Sequence, residues 1–116
     1  MTARVALAAA ERGTKAWRTV VATQGTAIPD EPYFQPLTNE IVETLRALQL
    51  VAGQLLRQVH GYGTTIMVRD DEGSDPAQRL VAVAAQLSDL HCTLVRADRM
   101  ASGVCAEVEH LTIEVA

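Results

Sequence analysis

The sequence has few aromatic residues and few cysteines. Because the only rings outside histidine are those of Trp17, Tyr33, Phe34 and Tyr62, a core has to be built from leucine, valine and alanine, which suits close-packed helices. The two cysteines, Cys92 and Cys105, form no Cys-x-x-Cys motif. On one helix they would lie about 20 Å apart, too far for a disulfide. The sequence therefore predicts free thiols, as in a reducing compartment.

Long apolar runs are also missing. No stretch approaches the ~18 apolar residues of a membrane span, and the short run Val5–Ala10 is followed directly by Glu11, unlike a signal peptide. A cytoplasmic protein with no membrane association is the expectation. With 116 residues, 48% hydrophobic and 21% charged, the chain is predicted to form a single helical-bundle domain over residues 1–116.

The C-terminal third carries two apolar series with seven-residue spacing. The first contains Leu80, Leu87, Leu94, Ala101, Val108 and Val115, and the second contains Val83, Leu90, Ala97, Val104 and Leu111. Such heptads predict a long helix with one buried side. Asp75 and Pro76 form a suitable start, as cap and first residue. At Ser102-Gly103 two structures stay open: a helix continuing from Pro76 to near Val115, or a tight turn followed by a fourth helix.

Two further helices are predicted upstream. The first covers Thr2 to about Gln24, with a buried stripe that includes Leu7, Trp17 and Val21. The second begins at Pro36 or at a Thr38 cap and ends near His60. Its predicted buried stripe contains Ile41, Leu45, Leu48, Ala52, Leu55, Val59 and Tyr62. The predicted fold class is all-α, a three- or four-helix bundle with a long, heptad-patterned C-terminal helix.

No motif indicates catalysis or a cofactor. Around His91-Cys92 and Cys105 the spacing is wrong for zinc, and Glu107-x-x-His110 is a single copy of a motif that di-iron bundles use twice. The acidic segment 70–75 lacks the alternating order of a calcium loop, which favours a solvated turn. We therefore predict no catalytic, cofactor-binding or metal-binding residues, and the sequence does not favour an enzyme.

The apolar residues exceed what a small bundle needs. A third helix of about 40 residues would extend beyond a second helix of about 25, leaving its C-terminal end without a mate. The candidate interface residues are Val104, Val108, Leu111, Val115 and Leu50, the last lying outside the main seam. The function that this pattern favours is a helical interaction or assembly module, self-associating as a dimer through the C-terminal helix or binding another helical protein.

Two alternatives stay open. The N-terminal helix carries the basic residues Arg4, Arg12, Lys15 and Arg18, which is compatible with a small nucleic-acid-associated regulator. A net charge of −4 argues against nucleic acid as a partner, because phosphate binding needs a basic face. A ligand- or metal-binding helical bundle is the second alternative.

Overall fold

The computed structural model describes residues 2–26, 33–62 and 68–111, and every regular element within these ranges is an α-helix. The helices are α1 (Thr2–Gln24), α2 (Phe34–Gly61) and α3 (Pro76–Val108). The predicted all-α class is confirmed. Contacts divide the chain into two units, one containing α1 and the other containing α2 and α3, and each unit is described by itself.

The first unit is built on α1, whose bounds match the prediction. The helix ends where Gly25 donates its backbone N–H to the Val21 carbonyl at 3.2 Å. Trp17 is half-buried, whereas Leu7 and Val21, predicted to lie on the same buried stripe, are exposed. The periodicity thus located the helix correctly, but its prediction that Leu7 and Val21 are buried is wrong.

α3 is one continuous helix through Ser102 and Gly103, so the tight turn at this point is wrong. A Cβ built on Gly103 would meet nothing within 4 Å, which is consistent with an ordinary position on an exposed helix face. The start of α3 is as predicted, because the Asp75 side chain accepts the backbone N–H of Ala77 at 3.0 Å and Pro76 occupies the first turn. The helix ends at Val108, seven residues before the end near Val115 that was expected.

α2 begins at Phe34, earlier than either predicted start. Tyr33 precedes it without a side-chain cap, so Pro36 lies in the first turn, where a backbone N–H would have no acceptor inside the helix. The predicted Thr38 cap is wrong: this side chain is buried and its hydroxyl donates to the Gln35 carbonyl at 2.8 Å. With 28 residues in α2 and 33 in α3, the two helices differ less in length than the sequence suggested.

α2 and α3 pack against each other as an antiparallel hairpin. Arg46 pairs with Asp98, and one heptad further along α2 Gly53 lies against His91, one heptad earlier in α3. On α2 one line of buried and half-buried residues steps by three and four: Thr38, Val42, Leu45, Gln49, Ala52, Leu56 and Val59. On α3 the corresponding line is Ala84, Leu87, His91, Leu94, Asp98, Ala101, Cys105 and Val108.

The inner line of α2 differs from the predicted stripe. Leu45, Ala52 and Val59 belong to it, but Ile41, Leu48, Leu55 and Tyr62 lie beside it and are 36–47% exposed. The predicted burial of these four is therefore wrong in the hairpin. The reason is that α2 carries apolar residues on two adjacent heptad positions, and only one of the two can face a single partner helix.

Candidate interaction surface

One face of the hairpin is polar. Arg46 donates from Nε to Asp98 Oδ1 at 3.3 Å and lies 3.4 Å from Glu43 Oε1, and the Ser102 hydroxyl lies 3.3 Å from Asp98. An open cleft of about 400 Å³ lies here, with Asn39 and Glu43 on one wall and Cys105 and Glu109 on the other. Arg46 and Glu43 are exposed and Asp98 is half-buried, so these side chains pair with one another near the surface, where ion pairs contribute little to stability.

The opposite face of the hairpin is apolar. On each helix, the flank beside the inner line and away from the Arg46–Asp98 pair holds one residue per heptad. On α2 these residues are Phe34, Ile41, Leu48, Leu55 and Tyr62, with exposures of 36–47%. On α3 they are Val83, Leu90, Ala97 and Val104, with Leu111 following in the turn after the helix; the four larger side chains are 37–68% exposed. We call these ten residues the apolar face.

Both series lie on the same side because the helices are antiparallel. In an antiparallel pair, positions directly after an inner-line residue of one helix meet the equivalent positions of the other helix. Arg46 follows Leu45, Ser102 follows Ala101, and both contact Asp98. Positions directly before an inner-line residue, such as Ile41 and Val104, must then lie together on the other side of the hairpin. The contacts at Arg46 and Gly53 thus fix the position of the apolar face, although they lie on the reverse side of the hairpin.

The two series also match in level along the hairpin. The pairing of residue 46 with 98 and of 53 with 91 sets a register in which each α2 residue lies level with one from α3. The resulting layers are Phe34 with Leu111, Ile41 with Val104, Leu48 with Ala97, Leu55 with Leu90, and Tyr62 with Val83. The apolar face therefore extends from Phe34 to Tyr62 along α2 and from Val83 to Leu111 along α3 and the turn after it.

The predicted interface residues do not form one surface. Val104 and Leu111 lie on the apolar face and are exposed. Val108 is 7% exposed and belongs to the inner line, because α2 covers this end of α3. Leu50 is 68% exposed but lies on the flank that carries Glu43 and Arg57, and Val115 lies outside the described residues.

Most of the apolar face was predicted to be core, on α3 (Val83, Leu90 and Ala97) as well as on α2. The signal of the α2 half was present, since an apolar residue recurs every seventh position from Phe34 to Tyr62. Ile41, Leu48 and Leu55 were predicted to lie in the core. Sequence periodicity cannot separate a seam that faces the partner helix from one that faces outward, because both have the same period.

The predicted basic residues all lie on α1. Arg4, Arg12, Lys15 and Arg18 are exposed, and at 100° per residue they fall within about a third of the helix circumference. Glu11 falls within the same sector and interrupts it with a negative charge. This side of α1 is therefore a mixed-charge surface.

The acidic segment before α3 forms a closed network. The Asp70 carboxylate is only 3% exposed and accepts Arg79 Nε at 2.6 Å and the backbone N–H groups of Ser74 and Glu72 at 2.9 and 3.1 Å. Gly73 completes the turn with φ of 77°, a conformation that favours glycine. The segment thus holds the entry to α3 with its own carboxylate. It is a turn, as predicted, but the Asp70 carboxylate is shielded and not solvated.

These bonds lower the pKa of Asp70 from 3.8 to about 2, chiefly through the Arg79 hydrogen bond. A carboxyl with a lowered pKa adds stability above pH about 4, and this stability is lost as the pH falls toward 2. We expect Asp70→Asn to lower the urea midpoint at pH 7 and to flatten its decline between pH 4 and 2. The control is Asp71→Asn at an exposed neighbour. If the urea midpoint of Asp70→Asn fell between pH 4 and 2 as steeply as that of wild type, Asp70 would not be the group responsible.

No other arrangement in the described ranges indicates a chemical site. Across residues 2–26, 33–62 and 68–111, no three histidine, cysteine or acidic side chains are grouped to hold a metal ion, and both cysteines are free thiols. Within the same part of the chain no helix is long and apolar enough to cross a membrane. No protein-family model, curated protein or solved structure matches this chain, so its function has to be argued from its own geometry.

Proposed function

We propose that this chain is a non-enzymatic helical assembly module that acts by self-association, most simply as a dimer. One observation carries the proposal: few hydrophobic residues of the hairpin are buried, and a series of large apolar residues on each helix stays partly exposed to solvent. Val42, Ala52 and Val108 are its buried hydrophobic residues, while whole heptad series on both helices stay in contact with solvent. Helices with a second apolar flank are typical of bundles with further members.

The size of the apolar face supports the same proposal. Monomeric proteins rarely expose a continuous apolar patch beyond about 300–600 Å², and larger patches mark interaction sites. From their exposed fractions, the large side chains of the apolar face present roughly 800 Å². Removing such an area from water is favourable by about 25 cal/mol per Å² before the costs of association.

The direct test is a mass measurement across a range of concentrations. We expect sedimentation equilibrium at tens of micromolar to give twice the 12.5 kDa of one chain, and dilution to shift the population toward the single chain. A reducing agent is needed throughout, because Cys92 is an exposed free thiol that could cross-link copies. The mass of a single chain at every concentration would refute self-association.

Nucleic-acid association through α1 stays an alternative with less support, because Glu11 interrupts the basic sector and the net charge is −4. A gel shift at low salt that weakens steeply as salt is added would favour it. Binding of a different helical protein is the other alternative. It would appear as a stable mixed complex formed by a chain that is monomeric alone.

A further inference from the structure

The occupant of the apolar face can be identified from the face itself. We infer that the apolar face of one hairpin packs against the same face of a second copy, so that two hairpins form a four-helix bundle. This inference rests on the self-association proposed above and adds the surface through which it occurs. The bundle would bring the five layers of each copy into one core, with two residues from each hairpin in every layer.

The chemistry of the face favours a second copy. A two-fold interface places the same patch on both sides, so the patch must be complementary to itself. None of the ten residues of the apolar face is charged, so two copies can approach without placing like charges opposite each other. The charged pairs, Arg46 with Asp98 and with Glu43, lie on the reverse face and would remain in water.

The exposed area is also what a stable dimer needs. Specific interfaces of standard size bury about 800 Å² per partner, close to the roughly 800 Å² that the apolar face presents. The distribution fits as well, since the area extends along the 28-residue α2 and along α3 from Val83 onward, and none of the five layers is polar. A second hairpin has the same length and the same spacing, so all five layers would be covered at once.

A single helix would match the face less well. Five layers of two residues need a partner with an apolar side chain at each level. A second hairpin supplies these side chains from two helices.

The experiment compares the same substitution on the two faces of α2. Leu48 is the central α2 residue of the apolar face, and Leu50 is 68% exposed on the charged flank. In the full-length chain, Leu48→Glu is expected to raise the dimer Kd by roughly a hundredfold or more, because two carboxylates would be buried without partners. Leu50→Glu is expected to leave the Kd within about twofold, because its carboxylate stays in water.

A second pair repeats the comparison on α3. Leu90, 48% exposed, belongs to the apolar face, whereas Val81, 70% exposed, lies on the flank shared with Ser102. We expect Leu90→Glu to dissociate the dimer and Val81→Glu to leave it intact. Circular dichroism reports whether each variant keeps its helix content. Leu48→Ala, which removes apolar area but favours helix, is expected to raise the Kd about tenfold or more and serves if the Glu variants unfold.

The outcomes separate this inference from the proposed function. Dissociation by Leu48 and Leu90 variants alone supports the face-to-face bundle. If the dimer persists in every Leu48 and Leu90 variant, Leu48→Ala included, the inference is overturned. The chain would then still self-associate, but through another surface. Dissociation by Leu50→Glu as strong as by Leu48→Glu also overturns the inference. A wild-type chain that is monomeric throughout refutes both, and would mean that something other than a second copy covers the face.

Discussion

Replacing Gln49 with methionine is expected to raise the free energy of unfolding by about 1–3 kcal/mol. Gln49 is half-buried on the inner line of α2, and its side-chain Oε1 is shielded from water with no hydrogen-bond donor among the described residues. A buried polar atom without a partner keeps its full desolvation penalty. Methionine has a similar length, fills irregular space and carries no amide, so the substitution removes the penalty without opening a cavity.

The control is the same substitution at Gln54, an exposed residue of α2 on the side remote from α3. Gln54→Met is expected to change stability by less than about 0.5 kcal/mol. Urea denaturation followed by circular dichroism measures both variants, at one protein concentration because dimerisation would add to the apparent stability. Equal stability of Gln49→Met and wild type would mean that the amide finds a partner in solution.

Replacing Ala52 with leucine is expected to have an effect of similar size in the opposite direction, a loss of about 1–3 kcal/mol. Ala52 is 3% exposed on the inner line, and a Cβ built on the adjacent Gly53 would lie only 3.7 Å from Cδ2 of His91. The two helices are therefore close at this level. A leucine side chain would have to separate them or take a strained rotamer.

Ala47→Leu provides the comparison, because Ala47 is exposed on the same helix and leucine favours helix almost as strongly as alanine does. Its unfolding free energy is expected to stay within about 0.5 kcal/mol of wild type. If both leucine variants were equally stable, α2 and α3 would not approach each other closely at Ala52.

The sequence predicted the elements that local chemistry determines. The bounds of α1 agree with the structure, and Asp75 and Pro76 start α3 as expected. Of the two structures left open at Ser102-Gly103, the continuous helix is the one observed, although it ends at Val108 and not near Val115. These features depend on capping and periodicity within a few residues.

Features that depend on which helices meet could not be predicted in this way. Leu48 and Ala52 lie four residues apart and looked like members of one seam, yet one is exposed and the other is buried. Val108 was expected at an uncovered end, but α2 begins early enough to cover it. The Asp70–Arg79 contact joins residues nine apart across a turn, for which helical spacing gives no signal.

The matched layers of the apolar face have a consequence for how this chain tolerates insertions and deletions. The layers begin with Phe34 and Leu111 at one end of the hairpin and finish with Tyr62 and Val83 at the other, so the two helices share one scale of length. A seven-residue deletion from one helix alone would leave the final layer with a residue from only one side. An insertion or deletion therefore preserves the layers only if it is a multiple of seven residues and is made in both helices together. The place for it is the end of the hairpin where the segment between Gly61 and Pro76 joins the helices.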